Sequence, residues 1–83
     1  MATLIPHPKL AKLLGTQTFH SDAPTVRALL DQLKSKVNNT DHWNNAKRAT
    51  ILVNGRNVHF LEGLDTPLGP DDKVWMVLPA GGG

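Results

Sequence analysis

The chain has 83 residues, enough for one domain, with 40% hydrophobic and 19% charged residues, ordinary values for a globular fold. It contains no cysteine, so neither a disulfide nor a thiolate metal site can brace it and a thin apolar core must suffice, which fits a reducing, cytoplasmic setting. The formal charge of +2 rests on nine Lys and Arg scattered from Lys9 to Lys73, with Lys47-Arg48 the one doublet; this excludes the basic stripe of a nucleic-acid binder, and no apolar run has the length of a membrane span. Met1-Ala2-Thr3-Leu4-Ile5-Pro6 has neither the basic start nor the long apolar stretch of a secretory signal.

Thr3-Leu4-Ile5 is a short strand candidate, ended by Pro6 and Pro8, which cannot donate to a ladder. Lys9–Gly15 reads as a compact connection of about one helical turn. Thr16–His20 is rich in strand formers, with Phe19 its buried member. Ser21-Asp22-Ala23-Pro24 is a helix start signal, and Val26, Leu29, Leu30, Leu33 and Val37 then recur at helical spacing. The main helix is predicted over Pro24–Lys36. Asn38–Asn45 is a polar loop.

Ala49–Val53 reads as a strand, and Asn54-Gly55 after it is a strong two-residue hairpin signal, because a type I′ turn needs positive φ at both central residues. Arg56–Leu61 is expected to return as the partner strand, with Val53 facing Arg56 and Ile51 facing Val58. Alternation then places Ile51, Val53, Val58 and Phe60 under the helix, and Leu52, His59 and Leu61 on the other face. Glu62–Asp72 is a turn-rich crossing. Lys73–Leu78 is the last strand, with Val74, Met76 and Leu78 inward and Trp75 and Val77 outward. The expected class is α+β, a mixed four- to five-stranded sheet with one main helix packed on one face. The other face carries Leu52, Leu61, Trp75 and Val77, more contiguous apolar surface than a small monomer usually leaves bare.

The polar residues offer little catalytic chemistry. His7, His20, His42 and His59 have no metal-ligand spacing, so no metal site is predicted. Asp41, Asp71 and Asp72 read as turn residues, and Gly63 and Gly69 fit no phosphate loop. The chain reads as a substrate and subunit rather than a free-standing catalyst. The informative segment is Leu78-Pro79-Ala80-Gly81-Gly82-Gly83. Five residues, Pro79–Gly83, reach about 17 Å when extended. Glycines without Cβ atoms can thread a channel that other residues would block, presenting the carboxylate of Gly83. The alternative is an inert terminus.

The string Ile51-Leu52-Val53-Asn54-Gly55, Phe60-Leu61-Glu62-Gly63-Leu64-Asp65-Thr66-Pro67-Leu68, Asp71-Asp72-Lys73-Val74 and the Gly82-Gly83 end resembles the MoaD/ThiS family of ubiquitin-like, β-grasp sulfur carriers, nearest the small subunit of molybdopterin synthase. The likeness is weaker around Thr25–Leu30. Leu78 stands where the family commonly has the first proline of a Pro-Pro pair, and Ala80-Gly81 precede the Gly-Gly end. The resemblance implies a body over residues 1–78 and a tail over 79–83. It implies that an E1-like enzyme uses ATP with magnesium to adenylate Gly83, that sulfur displaces AMP to leave a thiocarboxylate, and that Pro79, Ala80, Gly81 and Gly82 thread the partner's active site. The carrier itself binds no cofactor. The implied acceptor is the large subunit of molybdopterin synthase, with cysteine, thiazole or tRNA thiolation as rivals; a modifier joined to lysines is a further alternative. Leu61, Trp75 and Val77 are the candidate docking residues, the other reading being that Trp75 merely covers a sheet edge.

Overall fold

The computed structural model describes residues 1–37 and 49–77. The predicted loop Asn38–Asn45, Leu78 with its expected inward orientation, and the tail 79–83 lie outside the described residues. Five strands form one mixed sheet: β1 (Ala2–Ile5), β2 (Phe19–Ser21), β3 (Thr50–Val53), β4 (Arg56–Asn57) and β5 (Lys73–Val77), in the order β2-β1-β5-β3-β4. β1 runs parallel to β5, and the other neighbours are antiparallel. The expected α+β sheet is therefore present.

Helix α1 (Pro8–Leu14) is longer than the single turn expected. Its boundaries follow from local chemistry. His7 Nδ1 accepts from the Leu10 amide at 3.1 Å, Pro8 supplies a preset φ in the first turn, and Gly15 at φ 73° closes the end. Helix α2 (Val26–Lys36) starts slightly later than predicted, because Thr25 is the N-cap and its hydroxyl accepts from the Ala28 amide at 3.2 Å. Ser21 Oγ donates to Gln32 Oε1 at 2.5 Å and accepts from the Ala23 amide at 2.9 Å, so the entry to α2 is tied back onto the edge strand β2.

The core lies between α2 and one face of the sheet. Leu29 and Leu33 of α2 meet the buried side chains of Leu4, Ile51, Val53, Val74 and Met76, and α1 adds Leu10. The sheet positions alternate as the pleat requires: β5 is exposed at Lys73, Trp75 and Val77 and buried at Val74 and Met76.

The hairpin holds as predicted through its turn, with Asn54 at φ 52°, Gly55 at φ 86° and Val53 opposite Arg56. The returning strand does not continue to Leu61. It ends at Asn57, opposite Leu52, so Ile51 does not face Val58. The Asn57 side chain accepts from the His59 amide at 2.9 Å and turns the chain into a 3-10 turn over Val58–Phe60. Val58 still reaches the core. Phe60 does not: it is 87% exposed, against the expectation that it lies under the helix. A second 3-10 turn follows at Gly63–Asp65. The crossing is anchored to the start of α2 by the Val26 amide on Thr66 O at 3.1 Å and the Leu68 amide on Pro24 O at 2.9 Å.

Candidate functional site

The site is built on β5, which lies inside the sheet with β1 on one side and β3 on the other. Register places Ile5 of β1, Trp75 of β5 and Leu52 of β3 side by side, on the face away from α2. One step further along, Val77 pairs with Thr50. Trp75 is 41% and Val77 45% exposed, so the predicted outward orientation of both is present. An indole and a valine left open beside Ile5 and Leu52 form an exposed apolar face.

Leu61 is placed differently from the other two docking candidates. It caps the 3-10 turn at Val58–Phe60, outside the five strands, and is 36% exposed. Strand alternation therefore does not put it on one ladder with Trp75. One residue of this surface, Ile5, escaped the sequence reading, and Phe60, expected in the core, is exposed elsewhere. Ile5 joins the face only through the parallel β1–β5 pairing, which leaves no local signal. Phe60 carried a strand-like alternation that the Asn57 cap overrides.

The start of β5 is held by a polar cluster. Asp72 Oδ2 accepts from the Gly69 amide at 2.7 Å, and Oδ1 accepts from Asn54 Nδ2 at 2.9 Å. Asn54 Oδ1 in turn accepts from the Lys73 amide at 3.0 Å, while its own amide donates to Lys73 O at 2.8 Å. The Asn-Gly turn is thus clamped to the strand that leads into the tail. The Gly69 amide, and after it the Asn54 side chain, hold the Asp72 carboxyl below its ordinary value of 3.8. Asp72 has a structural part here, as its turn reading predicted; Asp71 lies in the adjoining turn.

Among the described residues no three His, Cys, Asp or Glu side chains come together in a way that could hold a metal ion. No helix among them is long and apolar enough to cross a membrane. The arrangement offers a surface and an anchored exit strand.

A mixed sheet with a helix on one face, an apolar opposite face, and an interior strand leading to Gly82-Gly83 defines the ubiquitin-like β-grasp class. The chain belongs to the ThiS family of sulfur carriers, whose family model matches residues 9–83. No curated protein matches the sequence significantly. Among solved structures, it is similar to the small archaeal modifier protein 1 of Methanosarcina acetivorans, at 24% identity and TM-score 0.77 over 99% of this chain and 95% of that one. It is similar to a chain of the Amycolatopsis orientalis BexX/CysO complex, at 19% identity and TM-score 0.80 over 100% of both chains. It is also similar to the Haloferax volcanii HVO 2177 protein, at 25% identity and TM-score 0.71 over 99% of this chain and 85% of that one.

Proposed function

We propose that this chain is a sulfur carrier with a body over residues 1–78 and a working tail over 79–83, and that Gly83 is its reactive end. The Gly83 carboxylate attacks the α-phosphorus of ATP, bound with magnesium by an E1-like adenylating enzyme, and pyrophosphate leaves. Hydrosulfide from a sulfur donor then attacks the acyl carbon, the bond to AMP breaks and AMP leaves, and the product is a C-terminal thiocarboxylate. Pro79 stiffens the base of the tail, and Ala80, Gly81 and Gly82 keep it thin enough to enter the partner's active site. Trp75 and Val77, with Leu61 at the margin, dock the body.

The observation that carries this reading is the continuity of the exposed apolar face of β5 with the glycine-ended segment that follows Val77 in the chain. The favoured acceptor is the large subunit of molybdopterin synthase, on the resemblance of residues 51–83. Its delivery of sulfur would place the chain in molybdenum cofactor biosynthesis.

The test is to incubate the chain with ATP, its adenylating enzyme and a sulfur donor. The intact mass rises by the difference between a sulfur and an oxygen atom, and Gly83→Ala abolishes the rise without unfolding the body. Normal thiocarboxylation of that variant refutes the steric account of the tail.

A second reading is favoured by the likeness to the small archaeal modifier protein 1, named as a modifier protein. Attack of a lysine amine on the same adenylate gives an isopeptide bond and releases AMP. Peptides carrying Gly83 joined to a lysine of another protein identify that outcome.

A further inference from the structure

We propose that Asn54-Gly55 is a self-modification site, at which the Gly55 backbone nitrogen attacks the Asn54 side chain to leave aspartate or isoaspartate, and that the clamp onto Asp72 and Lys73 holds it unreactive in the folded chain. The reaction needs water and hydroxide but no partner protein, so it stands apart from the carrier reading.

Asn54 is the asparagine of this chain that precedes a glycine. A glycine nitrogen has no Cβ beside it to block an approaching carbon. The turn is also open to water: Asn54 and Gly55 are both exposed, and a Cβ built on Gly55 would meet nothing within 4 Å. Hydroxide removes the Gly55 amide proton, and the nitrogen attacks Asn54 Cγ. The Cγ–Nδ2 bond breaks, and ammonia leaves with a proton from water, so hydroxide is regenerated and a cyclic imide closes. Water then opens the imide. Opening at the side-chain carbonyl gives aspartate. Opening at the main-chain carbonyl gives isoaspartate, in which the chain runs through the former side chain. One water is consumed, one ammonia is released, and nothing is oxidised.

The fold opposes the first step. Asn54 Nδ2 donates to Asp72 Oδ1 at 2.9 Å, and Asn54 Oδ1 accepts from the Lys73 amide at 3.0 Å. Both ends of the side-chain amide are thus committed to the start of β5. The Asn54 backbone amide donates to Lys73 O at 2.8 Å and fixes the main chain on the same neighbour. To bring Cγ onto the Gly55 nitrogen, the side chain must release both bonds, one of them to a charged acceptor. The products cannot rebuild the clamp. Aspartate at this position has no N–H to offer Asp72 and sets one carboxylate against another. Isoaspartate also lengthens the main chain by one carbon inside the two-residue turn that pairs Val53 with Arg56. Conversion therefore removes the restraint that slowed it, and loosens the start of the strand that leads to residues 78–83.

The experiment incubates the full chain in mildly alkaline buffer, folded and in guanidinium chloride, and follows Asn54 by peptide mapping that separates the aspartate and isoaspartate products. Folded wild type converts about tenfold more slowly than the unfolded chain, the factor for releasing one charge-assisted bond once water has offset part of the rest. Asp72→Ala speeds conversion of the folded chain roughly fivefold. Thr25→Ala removes the N-cap of α2 and lowers global stability by a comparable amount without touching the clamp, and its rate stays within about twofold of wild type. Thermal unfolding shows that each variant is folded at the incubation temperature, and that the purified converted fraction unfolds at a lower temperature than the intact chain. Conversion of folded wild type as fast as in denaturant, an unchanged rate in Asp72→Ala, or equal acceleration in Thr25→Ala overturns the proposal. So does a converted fraction as stable as the intact chain, or no conversion even in denaturant.

Discussion

Asp72→Ala should destabilise the protein by an amount that depends on pH. The carboxylate accepts from the Gly69 amide and from Asn54 Nδ2, and the second contact orients Asn54 toward the Lys73 amide. Hydrogen bonds to a charged acceptor contribute about 1.5–3 kcal/mol each when sheltered. Asp72 is only half-buried, so water replaces much of what is lost, and a total of about 1–2 kcal/mol is expected. For a domain of this size that corresponds to a fall in Tm of roughly 5–15 °C. The folded-state carboxyl titrates below its ordinary value of 3.8, so its contribution is fully present above that value. The contribution is lost as pH falls through the lower folded value, because the proton then binds the folded state as well. Thermal unfolding followed by circular dichroism should show a constant gap between wild type and variant from neutrality down to about pH 5, narrowing below about pH 4. Equal midpoints at pH 7, or a gap that persists undiminished at the acid end, would refute the assignment of this clamp to Asp72.

Two other substitutions probe the surfaces. Trp75→Glu should weaken binding to the adenylating enzyme by at least about thirtyfold, the cost of losing an interface anchor of about 2 kcal/mol, read by calorimetry, while the unfolding midpoint changes little. Phe60→Ser should change stability by no more than about 0.5 kcal/mol in denaturant unfolding, whereas a buried phenylalanine would cost several times that.

Much of the architecture was legible where one local signal dominated. Asn54-Gly55 fixed the hairpin because those residues accept positive φ, and the spacing of Val26, Leu29 and Leu33 fixed α2 because these side chains share its buried stripe. The returning strand was misread because Val58-His59-Phe60 alternates like a strand, while a single side-chain bond from Asn57 diverts the backbone. The signals for α1 were present in His7-Pro8 and Gly15, but a helix this short has a weak periodic pattern. For the candidate site, Trp75 and Val77 followed from alternation within one strand. Ile5 did not, since its place on the face depends on a parallel pairing between residues 70 positions apart. The proposed role of Gly83 rests on the glycine-ended segment itself and on no tertiary contact.

The interior position of β5 also has a mechanical side. A pull applied through residues 78–83 is transmitted to a strand laced to β1 on one flank and β3 on the other. The load runs along these ladders, so their hydrogen bonds must shear together instead of peeling open one by one. Under the proposed carrier role, a partner that grips the tail pulls against both ladders at once, and the body resists as a unit.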